Sequence, residues 1–238
     1  MRICVFGSSS RRTPEAYLKV AEELGSLIAS KGYLCVNGGG AFGCMGALNK
    51  GAHAKDGRVL GVIHDMFVVE EEDMNIKNML VSKGDTLSER KQLLVNNCDC
   101  IIVLPGGVGT LDELWESTCN RSLKLGGMDN IPICILNLDK YFDGSLAQLD
   151  RAYKDSLLYN TPDQYFHVET TAEGALGWCE NAVAAVREAR PGSPVGGNSI
   201  PHPKGHRTKM RSSWDTHSFV GGIGLGALVA SIAVRLMK

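Results

Sequence analysis

The feature that most narrows the fold is Ile101-Ile102-Val103-Leu104, apolar at every position and followed directly by Pro105-Gly106-Gly107-Val108-Gly109-Thr110. A strand with no polar face has no side to turn to water, so it belongs in the middle of a parallel sheet covered on both faces. The glycine-rich turn behind it then lies at the carboxyl edge, where open α/β sheets bind ligands. The same rhythm runs through the chain. Short apolar runs at residues 3–6, 33–36, 59–63, 77–82, 100–104 and 131–136 alternate with helical segments at 14–30, 43–53, 85–97 and after Gly109. This alternation predicts an α/β fold, a Rossmann-like parallel sheet with helices on both faces.

With 238 residues the chain has room for one sizeable core and an appendage. The core domain is expected over residues 1–190. Beyond it the composition turns to Pro, Gly, Ser, His and Lys, which cannot bury enough apolar surface to order itself, so residues 191–217 read as a flexible linker. Residues 219–234 then carry no charge and lie between Lys204, Arg207, Lys209 and Arg211 on one side and Arg235 and Lys238 on the other. A single C-terminal hydrophobic helix is expected over 218–237, acting as a tail anchor in an intracellular membrane with the domain facing the cytosol. The alternative is a buried or interfacial helix on a soluble cytoplasmic protein.

A net charge of -1 provides no basic field for nucleic acid, so small ligands are the expected partners. The eight cysteines are scattered, mostly inside apolar runs, without C-x-x-C spacing. They predict buried thiols in a reducing compartment and no metal site.

Two glycine loops carry the chemistry. Gly38, Gly40 and Gly43 match G-x-G-x-x-G, with Asp65 near the end of the next strand as a candidate ribose acceptor. The second loop is more specific. Backbone N–H groups at Gly107, Val108, Gly109 and Thr110 can converge on an anion at a helix amino end, and the Thr110 hydroxyl adds a donor. No G-K-[ST] follows, which argues against nucleoside triphosphate hydrolysis. Glu113 lies one helical turn beyond Gly109, within reach of the same crevice.

Ser88-Glu89-Arg90-Lys91 on the preceding helix, taken with PGGVGTLDE over 105–113, resembles the signature of the LOG family, the cytokinin riboside 5′-monophosphate phosphoribohydrolases often mislabelled lysine decarboxylases. The resemblance extends over residues 2–188 and includes Gly7-Ser8-Ser9-Ser10, Gly38-Gly39-Gly40 and Gly43-Cys44-Met45-Gly46. It implies Arg90 and Glu113 as catalytic residues. Substrate-binding positions are implied at Glu72, Arg90, Lys91, Gly106, Gly107, Val108, Gly109, Thr110, Leu111, Asp112 and Glu113. The resemblance further implies a nucleoside 5′-monophosphate substrate, release of an adenine-type base and ribose 5-phosphate, no cofactor, and a homodimer. The chain departs from the family pattern at His64, Leu87, Val108 and Cys119.

Two other readings stand beside this one. A nucleotide or molybdenum cofactor binding protein of the same fold would use the phosphate loop without turnover. A dinucleotide oxidoreductase would rest on Gly38, Gly40, Gly43 and Asp65, but no acid or base for hydride transfer is evident. A pyridoxal phosphate decarboxylase needs a Schiff-base lysine with an acidic partner for the pyridine nitrogen, and no such pair is marked. His53, His64 and His167 lack acidic partners in sequence, and Trp115 and Trp178 read as core or interface residues.

Overall fold

The computed structural model describes residues 1–68 and 78–189. The expected linker and tail anchor, and Glu72, lie outside the described residues. Among the described residues no helix is long and apolar enough to cross a membrane.

Strands β1 (Arg2–Phe6), β2 (Leu34–Asn37), β3 (Arg58–His64), β4 (Asn78–Ser82), β5 (Cys100–Val103), β6 (Ile133–Leu136) and β7 (His167–Glu169) form one sheet in the order β4-β3-β2-β1-β5-β6-β7. Every adjacent pair is parallel. Helices α1 (Glu15–Ser30), α2 (Gly43–His53), α3 (Ser88–Asn96), α4 (Val108–Ser122), α5 (Asp143–Lys154) and α6 (Ala172–Ala189) supply the two outer layers. The chain leaves β1 towards β2 on one side and reaches β5 on the other. The edge between β1 and β5 is therefore the topological switch point, where a crevice opens at the carboxyl ends of the strands.

The period-two alternation of the strands divides the core in two. Ile3, Val5, Cys35, Cys100, Ile102 and Cys134 pack with Ala21, Leu24 and Ile28 of α1, Leu48 of α2, and Leu176, Cys179 and Val183 of α6. Cys4, Phe6, Val36, Ile101, Val103, Ile133 and Ile135 face the other way, onto Leu94 and Val95 of α3, Leu114 of α4 and Phe142, with Leu146 and Leu149 of α5 against them. Each fully buried Ile or Leu contributes roughly 1.5–3 kcal/mol relative to exposure. Both faces of the sheet are covered, as the unbroken apolar run of β5 requires.

The elements differ from the sequence reading mainly at their ends. Helix α3 starts at Ser88 rather than Asp85, because Thr86 Oγ1 accepts the Ser88 N–H at 3.4 Å and turns the chain into the helix only there. Pro132 has no N–H to give the ladder, so β6 starts at Ile133.

Candidate functional site

A cleft of ≈ 410 Å³ opens at the carboxyl ends of β1, β2, β3 and β5. Gly7 to Ser10 follow β1, and Gly38 to Phe42 connect β2 to α2. Met45 comes from the first turn of α2, while Ile63 and Phe67 come from the end of β3 and just beyond it. Leu87 and Arg90 come from the start of α3, and Gly107, Gly109, Thr110 and Glu113 from the start of α4. The two glycine loops thus line one site rather than two.

Backbone bonds lock these loops to one another. Ser8 N–H donates to the Pro105 carbonyl at 3.1 Å, and Met45 N–H donates to the Ser8 carbonyl at 3.2 Å. The β2 loop is shaped by buried Asn37, whose Oδ1 accepts the Gly39 N–H at 2.8 Å and whose amide donates to Asn49 Oδ1 at 2.7 Å. Arg11 lies 3.3 Å from the centroid of the Phe42 ring and holds it by a cation–π contact. In α4 the first intrahelical bond runs from Leu111 N–H to the Gly107 carbonyl, so the N–H groups of Val108, Gly109 and Thr110 have no acceptor within the helix. With the helix dipole behind them they are able to receive an anion.

At the floor of the cleft Arg90 Nη1 donates to Glu113 Oε1 at 2.8 Å, and both side chains are nearly enclosed. Arg90 is fixed by two further donations, from Nε to the Val62 carbonyl at 3.0 Å and from Nη2 to the Gly38 carbonyl at 3.5 Å. A Cβ on Gly38 would collide with the guanidinium, so glycine there is what lets Arg90 lie flat across the β2 loop. Burial pushes the Glu113 carboxyl above its ordinary pKa, and the Arg90 charge and hydrogen bond pull in the opposite direction. The result is a buried carboxylate with one oxygen engaged, close to that helix end. That arrangement can hold a phosphate and place negative charge beside a sugar ring.

The structure sorts the sequence-derived candidates. Arg90, Gly107, Gly109, Thr110 and Glu113 line the cleft together. Gly106 lies behind them, its carbonyl accepting the Tyr141 hydroxyl. Val108 extends outward, 85% exposed. Leu111 packs against the core face shared with α3, and Asp112 points to the surface. Lys91 does not face the cleft. Its ammonium pairs with Asp112 at 2.9 Å and with Glu116, because consecutive helical residues diverge by about 100° and Arg90 takes the inward position. Asp65 is also absent from the cleft lining, which leaves a dinucleotide site without the acceptor on which it depended. Phe42, Ile63 and Phe67 carry no signal in the sequence, and Met45 stands there only as part of the Gly43-Cys44-Met45-Gly46 segment, since isolated apolar residues near loops look the same whether they line a core or a cleft.

Among the described residues no lysine lines the cleft, so none of them supplies the Schiff-base nitrogen of pyridoxal phosphate chemistry there. Among the described residues no cluster of three or more His, Cys, Asp or Glu could hold a metal ion.

The family described as possible lysine decarboxylase matches residues 45–178. A cytokinin riboside 5′-monophosphate phosphoribohydrolase of Mycobacterium tuberculosis is 36% identical over 163 residues, covering 68% of this chain and 84% of that one. One from Arabidopsis thaliana is 33% identical over 157 residues, covering 66% and 67%. The chain belongs to the LOG family. The family match takes in Arg90 and Glu113, so the residues at the floor of the cleft fall inside the matched region. Solved structures of the same fold include the molybdenum cofactor carrier protein of Chlamydomonas reinhardtii, with a TM-score of 0.55, 23% identity and coverage of 77% and 98%. A molybdenum cofactor binding protein of Rippkaea orientalis has a TM-score of 0.57, 21% identity and coverage of 76% and 96%. At such identities the likeness is one of fold.

Proposed function

We propose that this LOG-family chain hydrolyses the N-glycosidic bond of a nucleoside 5′-monophosphate, either a cytokinin riboside 5′-monophosphate or AMP. The reading rests above all on the Arg90–Glu113 pair at 2.8 Å, set beside the amino end of α4. A carrier needs the anion-binding loop but has no use for an enclosed carboxylate next to it.

Cleavage of the bond between C1′ and the base nitrogen builds positive charge on the ribose and negative charge on the departing base. The N–H groups of Gly107, Val108, Gly109 and Thr110 hold the 5′-phosphate, and that binding energy orients the ribose. The Glu113 carboxylate stabilises the oxocarbenium-like ring and takes a proton from the attacking water as its oxygen bonds to C1′. Arg90 fixes Glu113 and balances charge as the base leaves; the base nitrogen takes a proton from solvent and Glu113 returns the proton it took from water, so the step closes. The apolar side chains of Phe42, Met45, Ile63, Phe67 and Leu87 offer the base a dry surface. The products are free base and ribose 5-phosphate. Glu72 is part of the proposal as a further substrate contact, and a homodimer is the proposed assembly.

The test is release of free base from AMP, isopentenyladenosine monophosphate and adenosine. Turnover of either monophosphate, with adenosine inert, supports the reading. Tight binding of the monophosphates without base release would favour a carrier or sensor.

A further inference from the structure

The peptide that opens α4 is held from behind. Ser8 N–H donates to the Pro105 carbonyl at 3.1 Å, and the Tyr141 hydroxyl donates to the next carbonyl, that of Gly106. Carbonyl and N–H point in opposite directions across a trans peptide, so a Gly106 carbonyl turned to Tyr141 turns the Gly107 N–H the other way. Gly107 lines the cleft, and Tyr141 does not. Thr110 and Ser8 crowd Gly106 as well, since a Cβ built there would lie 2.1 Å from Thr110 Oγ1 and 2.9 Å from the Ser8 nitrogen.

Tyr141 is delivered by an uncommon stretch of backbone. Asp139 and Lys140, between β6 and α5, both take the left-handed conformation, at φ 48° and 61°, without being glycine. Such conformations persist where the surrounding structure over-determines them, and they gather at functional sites. Here Asn137 Oδ1 accepts the Phe142 N–H at 2.8 Å and the Asn137 amide donates to Asp143 Oδ1 at 2.8 Å, while the Tyr141 ring packs edge-on to Phe142 and Tyr17.

We propose that Tyr141 is a positioning residue for the phosphate loop: by donating to the Gly106 carbonyl, its hydroxyl aims the Gly107 N–H into the cleft and strengthens it as a donor to the 5′-phosphate. This rests on the reading of the α4 amino end as the phosphate site. A donor on the carbonyl draws electron density through the peptide and makes its N–H more acidic, as in any chain of linked hydrogen bonds. The effect of Tyr141 thus passes through the peptide rather than through a side chain in the cleft.

The experiment compares the full-length wild type, Tyr141→Phe and Lys140→Gly by amide NMR with glycine-selective ¹⁵N labelling. The Gly107 signal is assigned by its loss in Gly107→Ala, where the added Cβ meets open space. The same spectra are followed through titrations with AMP and with adenosine. Tyr141→Phe keeps the ring and removes the hydroxyl. It is expected to move the Gly107 amide proton upfield in the free protein and to leave the Gly109 amide in place. AMP is expected to bind about three- to tenfold more weakly, and adenosine within about twofold of wild type. Lys140→Gly alters the same loop but keeps the hydroxyl, and is expected to match the wild type in all three readings. An unmoved Gly107 amide, an AMP affinity within about twofold of wild type, an equal loss for adenosine, or the same changes in Lys140→Gly would each overturn the proposal. A wild type that binds AMP no more tightly than adenosine removes the phosphate reading and this proposal with it. One that binds AMP and releases no base defeats the hydrolase reading alone.

Discussion

Arg90 and Glu113 are separated by a strand and two loops, yet they meet at 2.8 Å because β5 sets α3 and α4 side by side against one face of the sheet. Glu113→Gln is expected to lower kcat by about 10²–10⁴-fold with substrate binding retained, and Arg90→Ala by about 10²–10³-fold, both read in a base-release assay. The pH profile follows from the raised Glu113 carboxyl. Its ionised form is the working one, so activity falls as pH drops through a value above the ordinary carboxylate range. A profile whose acid limb lies at or below that range would contradict this. Sequence carried the type of these residues but not the facing of their neighbours. Leu111, Asp112 and Lys91 fall inside the motifs and outside the cleft, because a motif is contiguous along the chain while a helix turns its successive side chains in different directions.

Among the elements, the packing of α1 against α2 is what places the β2 loop. A Cβ on Gly25 would run into the Leu48 carbonyl, and one on Gly51 into the Glu22 carbonyl, so the helices meet backbone to backbone. Gly51→Ala is expected to destabilise the fold by about 1–3 kcal/mol. Gly177→Ala, on α6 with open space around it, is expected to stabilise by up to about 1 kcal/mol. Denaturant titration of the two variants checks the opposite signs. The bounds of α2 were legible to the residue, since glycine at the start and His53 before a turn mark both ends. Strand β7 was not. It has three residues, all half-buried, and His167 and Glu169 pair with each other rather than showing an apolar run.

At the scale of the molecule, the placing of the cleft at the carboxyl edge of the sheet followed from the apolar run and the glycine turn, whereas its position at the switch between β1 and β5 and its apolar lining emerged only once the strand order was known and four loops converged. The scattered cysteines proved to be free thiols, seven of them buried and Cys119 exposed. Burial pushes Cys35 up to about 12 and Cys44 up to about 11. A thiol-reactive dye is expected to modify Cys119 rapidly in the native domain, and the buried thiols only after denaturation. Fast modification of several thiols in the folded domain would contradict the packing of the core.

The most direct measurement of the central claim pairs binding with turnover in one variant. Wild type and Glu113→Gln are titrated with AMP and with isopentenyladenosine monophosphate by calorimetry, and free base and ribose 5-phosphate are then quantified from the same mixtures. The account predicts comparable nucleotide affinity in both proteins, with equimolar base and ribose 5-phosphate released by the wild type alone. Equal release by Glu113→Gln, or nucleotide bound and left intact by the wild type, would contradict it.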